Sequence, residues 1–117
     1  LAARKGYEVC VNFLHNEKAA HQVVDKILKN GGKAMALQAD VSSETEVAEM
    51  FRTVDSSMPR LWGLVNNAGT LETQMRFEDM SADRWERALK NNVMSCFHCS
   101  KEAIRRMSTI HGGTGGS

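Results

Sequence analysis

The chain has 117 residues, 42% hydrophobic and 25% charged, with a formal net charge of +1. That composition allows one domain at most and gives no electrostatic reason to invoke nucleic acid or a membrane surface. No apolar run approaches the roughly 18 residues of a spanning helix, and no signal-peptide pattern opens the chain.

Leu1-Ala2-Ala3-Arg4-Lys5-Gly6 reads as the last turn of a helix closed by glycine. Gly6 to Phe13 is a short β-rich run and is expected to be a strand. From Asn16 to Asn30, Ala20, Val23, Val24, Ile27 and Leu28 fall at helical spacing, with Asn16 as N-cap and Gly31-Gly32 as the stop. Lys33 to Gln38 is a second strand, ending in Ala39-Asp40-Val41. Ser43 and Glu46 form a capping box. The helix behind them turns Val47, Met50, Phe51 and Val54 inward and ends before Pro59, the only proline. Leu61-Trp62-Gly63-Leu64-Val65 is an apolar run of the kind that makes a strand buried on both faces. It stops abruptly in Asn66-Asn67-Ala68-Gly69. A loop from Thr70 to Met80 leads to a long helix from about Ser81 to Met107. That helix is expected to bury Trp85, Leu89, Val93, Cys96 and Phe97 on one stripe. Gly112 to Ser117 reads as a flexible loop. Both ends look cut, so the chain is expected to be part of a longer protein.

Strand and helix alternate three times, which argues a parallel α/β sheet wound by right-handed crossovers. The strands' carboxyl ends, near Asn12 to Asn16, at Asp40-Val41 and at Asn66 to Gly69, would line one edge. Ligands sit at that edge in open parallel sheets. The amides of Asn66 and Asn67 need partners wherever water is excluded, and Gly69 leaves room for another group to approach the backbone. Asn92 interrupts the apolar stripe of the long helix, and a buried amide needs a partner or a job. Its plainest use is a helix–helix contact.

Asn66-Asn67-Ala68-Gly69 after a hydrophobic strand resembles the NNAG signature of the short-chain dehydrogenases/reductases. Gly6 to Gly116 follow that family's pattern without an obvious gap. The resemblance implies a Rossmann-type doubly wound parallel sheet, present here in part. Residues 1–117 would hold three β-α units of an NAD(P)-binding domain, without its first strand and its C-terminal half. It implies an oxidoreductase moving a hydride between nicotinamide and a small alcohol/ketone substrate, among which sugars and 3-oxoacyl groups come first. Asp40 would accept from the adenine amino group while the backbone N–H of Val41 serves a ring nitrogen. The ordinary alternative for Asp40 is a helix entry ahead of Ser43. Asn66, Ala68 and Gly69 would lie along the nicotinamide ribose, with the Asn67 side chain tying neighbouring strands; the alternative is a plain turn. Asn92, in an Asn-Val context, would be the catalytic asparagine, holding a water in the relay that feeds the active-site lysine.

Asn12, Leu14 and His15 stand where this family chooses its cofactor. Enzymes selecting NAD usually carry an acid there, and here none occurs before Glu17. His15, Asn16 and Lys18 would suit a 2′-phosphate, which favours NADP and leaves NAD possible. Cys96-Phe97-His98-Cys99 spells C-x-x-C. A redox pair would need a helix N-terminus, and a zinc site a second pair of ligands. Core cysteines are therefore expected and no metal. With Cys10, they read as reduced thiols of a cytoplasmic protein.

The family's glycine-rich phosphate loop would precede Leu1, and its catalytic serine and Tyr-x-x-x-Lys pair would follow Ser117. The missing strand separates the first strand present from the NNAG strand in the family's order. The isolated chain is therefore expected not to close this sheet without a rearrangement or a complementing chain. The long helix resembles the one that builds the family's subunit interface, so a homo-oligomer is implied. Two rivals remain: a non-catalytic nucleotide-binding fragment, and a flavodoxin-like binding module with the same alternation.

Overall fold

The computed structural model describes residues 1–117. Strands β1 (Val9–Phe13) and β2 (Ala34–Gln38) pair in parallel, Val9 opposite Ala34 and Phe13 opposite Gln38. A parallel pair needs a crossover, and α1 (Glu17–Lys29) supplies it. The Asn16 side chain starts that helix by accepting the Ala19 N–H at 3.1 Å. Gly31 ends it in the left-handed region at φ 76°. At the N-terminus, Gly6 closes a single 3-10 turn (Ala3–Lys5) with its N–H on the Ala3 carbonyl.

Helix α2 (Glu44–Ser57) begins at Ser43, whose hydroxyl accepts the Glu46 N–H at 3.4 Å. The box is not reciprocal. Ser43 N–H already donates to the Asp40 carbonyl, so the Glu46 carboxylate takes the Asp40 N–H instead, at 2.8 Å.

The run at 61–65 does not form the expected strand. No hydrogen bond joins it to β1, and only one side is engaged, by a single rung from the chain's last residue. Ser117 N–H donates to the Trp62 carbonyl at 3.0 Å and Leu64 N–H to the Ser117 carbonyl at 2.9 Å. These two bonds around Gly63 are the pattern of a parallel pair. Leu61 and Leu64 pack on the core, while Val65 is 86% exposed. A strand is buried on both faces only where neighbours cover it, and here they do not. The glycine-rich tail is also more ordered than its composition implies. It passes through a 3-10 turn (Thr109–His111) and folds back on Met107, Ser108 and Trp62. A Cβ on Gly116 would stand 2.8 Å from the Trp62 carbonyl.

The long helix starts at Ser81, whose hydroxyl accepts the Arg84 N–H at 3.3 Å. It divides into α3 (Ala82–Leu89), a π turn (Lys90–Met94) and α4 (Ser95–Met107). The expected buried stripe faces outward: Trp85, Leu89, Val93, Cys96 and Phe97 are all exposed. The buried face is Ser95, His98, Cys99 and Ala103. Trp85 and Leu89 face outward ahead of the π turn as Val93 and Phe97 do at and beyond it, because an apolar stripe is buried only where a neighbour covers it, and none does here. Cys99 and Ala103 pack against Val47 and Phe51 of α2. Arg106 fastens the same two helices, reaching Asp55 and Glu102 at 2.7 Å each while its guanidinium lies 5.0 Å from the Phe51 ring centre. No helix is long and apolar enough to cross a membrane.

Candidate functional site

Parallel pairing brings the carboxyl ends of β1 and β2 side by side, and polar residues gather there. Asn12 donates its side-chain amide to the carbonyls of Leu37 at 3.3 Å and Ala39 at 3.0 Å. It staples β1 to the exit of β2. Leu14 is partly exposed, and its carbonyl accepts from Gln38 at 3.0 Å. The Asn16 side-chain oxygen is occupied by its capping bond to Ala19. All three residues expected near a 2′-phosphate are exposed and keep free donors: His15, Lys18 and the Nδ2 of Asn16.

Asp40 turns back on itself. One carboxylate oxygen accepts the Ser42 N–H at 2.8 Å, the Asx geometry that begins many helix entries. Ser42, through its side chain and its backbone, holds the Asp40 carboxyl below its ordinary range. Partial burial opposes this, and the charges of Lys90 and His15 reinforce it. Apart from Ser42 nothing in the protein bonds the Asp40 carboxylate, which keeps spare acceptor capacity, and the Val41 N–H is unpaired. A free acceptor thus stands beside a free donor.

Beyond the 61–65 run, the Asn66 amide donates to the Ser100 hydroxyl of α4 at 3.0 Å. Asn67 and Ala68 are exposed, and the Asn67 side chain makes no inter-strand tie. Gly69 lies directly under Asn92, where a Cβ would come within 2.9 Å of the Asn92 Oδ1. That oxygen accepts the Thr70 N–H at 2.9 Å. The Asn92 Nδ2 donates to the carbonyls of Thr70 at 3.2 Å and Ala88 at 2.8 Å. Asn92 is therefore exposed rather than buried, and it joins helix to turn rather than helix to helix. Asn91 adds a bond to the Thr70 hydroxyl at 3.3 Å.

The π turn links two groups. The charge of Lys90 acts on Asp40, and Asn92, two residues on, holds Gly69 and Thr70. Sequence reasoning missed Lys90, Asn91, Thr70 and Ser42. The signal was present as three consecutive polar residues, Lys90-Asn91-Asn92, in a helix otherwise read for its apolar stripe. Burial, then the neighbouring Cys96, pushes the Cys99 thiol up, the opposite of what a redox pair needs. No group of three or more histidine, cysteine or acidic side chains is placed to hold a metal.

Residues 1–116 match the family model described as short chain dehydrogenase. The chain is 45% identical over 117 residues to an Escherichia coli protein described as uncharacterized oxidoreductase YgfF, covering 100% of this chain and 47% of that one. It is 36% identical over 109 residues to a 3-oxoacyl-(acyl-carrier-protein) reductase of Synechocystis, covering 90% of this chain and 42% of that one. A solved structure of a Serratia marcescens short-chain dehydrogenase/reductase variant superposes with a TM-score of 0.84 at 33% identity, over 90% of this chain and 42% of that one. The chain spans less than half the length of each of these relatives.

Proposed function

This chain belongs to the short-chain dehydrogenase family, and on that footing we propose that its protein is an NAD(P)-dependent oxidoreductase acting on a small alcohol/ketone pair. The observation that carries the proposal is the spare acceptor capacity of the Asp40 carboxylate beside the free N–H of Val41. Adenine presents an amino donor next to a ring acceptor, so the pair is complementary to its edge. Asp40 stays ionised without help from the ligand, because Ser42 already favours its charged form.

The remaining cofactor contacts follow the same edge. Asn12 and Leu14 form its floor at the end of β1. Lys18 supplies positive charge and His15 a ring N–H, with no acid between Asn12 and Asn16, which favours NADP as the cofactor over NAD. Asn66, Ala68 and Gly69 run along the nicotinamide ribose. When bound, the nicotinamide supplies or accepts the hydride. Asn92 keeps the Gly69–Thr70 backbone in place for it, and holds a water of the proton relay whose lysine, with the serine and tyrosine, lies outside residues 1–117. The Synechocystis relative's name supports a 3-oxoacyl substrate, with sugars the other class. The outward stripe of Trp85, Leu89, Val93 and Phe97 supports assembly of copies through the 81–107 helix. A cytoplasmic setting is supported by the buried, unpaired thiol of Cys99.

The test is a fluorescence titration of the full-length protein with NADPH and with NADH, followed by NADPH oxidation with 3-oxoacyl and sugar ketones. The expected result is saturable binding, tighter for NADPH, and turnover with one of the two classes. A folded protein that binds neither nucleotide refutes the proposal.

A further inference from the structure

Segment 70–76 follows Gly69 on the same edge of the sheet. None of its residues is buried, and Leu71 is fully exposed. Apolar burial, the usual source of loop order, therefore contributes nothing here. Four side chains from one side of the helix hold it instead. Arg84 and Arg87 stand i, i+3 on α3, and Asn91 and Asn92 follow in the π turn. Asn92 and Asn91 bind Thr70. Arg84 reaches the Glu72 carboxylate at 3.4 Å and also donates to the Thr73 carbonyl. Arg87 meets the same carboxylate with two nitrogens, at 3.3 Å and 3.5 Å. The Arg84 side chain is only 18% exposed and that of Glu72 33%, so these ions are more sheltered than the segment around them.

We propose that Glu72 is a positioning residue: its carboxylate, shared by Arg84 and Arg87, latches segment 70–76 onto α3 and sets the shape of the substrate side of the site. The inference rests on the function proposed above, because the cofactor contacts end at Gly69 and this segment is what the chain places next. The two fastenings differ in kind. The amide clamp at Thr70 is uncharged and insensitive to salt. The latch at Glu72 is ionic and is screened as the Debye length falls from about 10 Å at 0.1 M salt to about 3 Å at 1 M. Salt therefore loosens residues 72–76 while leaving Gly69 and Thr70 held.

The test uses the full-length protein and its Glu72→Gln variant. Tryptic cleavage after the exposed Arg76 requires the segment to leave the helix and is expected to speed up in the variant, and KM for the ketone to rise about fivefold, the ratio one such ion pair sustains. The kcat and the NADPH Kd stay within about twofold, since neither involves the latch by this argument. Glu72→Asp restores most of the KM, and at 1 M NaCl the wild type approaches Glu72→Gln. Unchanged cleavage after Arg76, or an NADPH Kd that rises in step with KM, overturns the latch. Failure of the wild type to bind NADPH overturns the functional reading instead, and the proteolysis experiment, which needs no turnover, still decides whether the latch exists.

Discussion

Gly69→Ala probes the point where the turn and the helix meet. The backbone at Gly69 is not left-handed, so alanine carries no conformational penalty there and the effect is one of contact alone. A Cβ would sit 2.9 Å from the Asn92 Oδ1, closer than carbon and oxygen can pack. The oxygen cannot simply swing aside, because its amide is fixed by Thr70 on both backbone groups and by the Ala88 carbonyl. Moving it forfeits at least the two bonds to Thr70, each about 0.5–1.5 kcal/mol. The site is exposed, where water replaces part of what is lost, so the lower half of that range applies and the expected cost is about 1–2 kcal/mol. The assay is a double-mutant cycle with Asn92→Ala, read by urea unfolding of the full-length protein. Asn92→Ala removes the obstructing oxygen, so Gly69→Ala is expected to cost almost nothing in that background. If the two costs instead add within about 0.5 kcal/mol, the clamp is not what Gly69 accommodates and the reasoning fails.

Asp40→Asn keeps an acceptor for Ser42 but places a donor or a neutral oxygen where the carboxylate stood. NADPH affinity is expected to fall roughly 10- to 100-fold, as for loss of a charge-assisted bond. Because Ser42 lowers the Asp40 pKa, its contribution is fully present above the ordinary 3.8 and is lost only as pH falls through the lower folded value. The part of cofactor binding that depends on Asp40 is thus expected to be flat from about pH 8 to pH 5, and a midpoint inside that range traceable to Asp40 contradicts the assignment. Phe51→Ala removes a ring that is 4% exposed and also the surface under Arg106. An unfolding cost of about 3–5 kcal/mol is expected in denaturant titrations, and a cost below 1 kcal/mol would show that α2 and α4 close over the gap. Phe97→Asp charges the outward stripe, and size-exclusion chromatography is expected to report a smaller assembly with unchanged far-ultraviolet circular dichroism.

The parts of the fold legible in the sequence are those fixed by near neighbours. Asn16, Gly31 and Ser43 mark helix ends through contacts within a few residues, and β1, α1, β2 and α2 lie where those marks place them. The run at 61–65 was misjudged because strand character depends on what lies alongside, and composition cannot report that. The stripe on the long helix is exposed for the same reason: Trp85, Leu89, Val93 and Phe97 keep their apolar periodicity but have no neighbour laid over them, and periodicity identifies an apolar face without saying what covers it. At the site, Asp40, Val41, Gly69 and Asn92 were identifiable as residue types out of place in their elements. Their partners were not. Thr70, Ser42 and Glu46 act through backbone groups or unremarkable side chains, and only coordinates reveal where those point.

Each residue of an α-helix advances the side chain by roughly 100°, and the π turn spends one residue without completing the usual step. A single rod can thereby address two clients that do not lie in line. Ahead of the turn it grips the segment after Gly69; behind it, Ser95, Cys99 and Ala103 are aimed at α2. Deleting Asn91 would regularise the rod and let it serve only one of them. Packing on α2 involves more of the core, so the helix would stay seated there and Asn92 would rotate away from Thr70. A folded protein with a disengaged turn is the outcome such a deletion offers, a separation of architecture from chemistry that substitution at either client cannot produce.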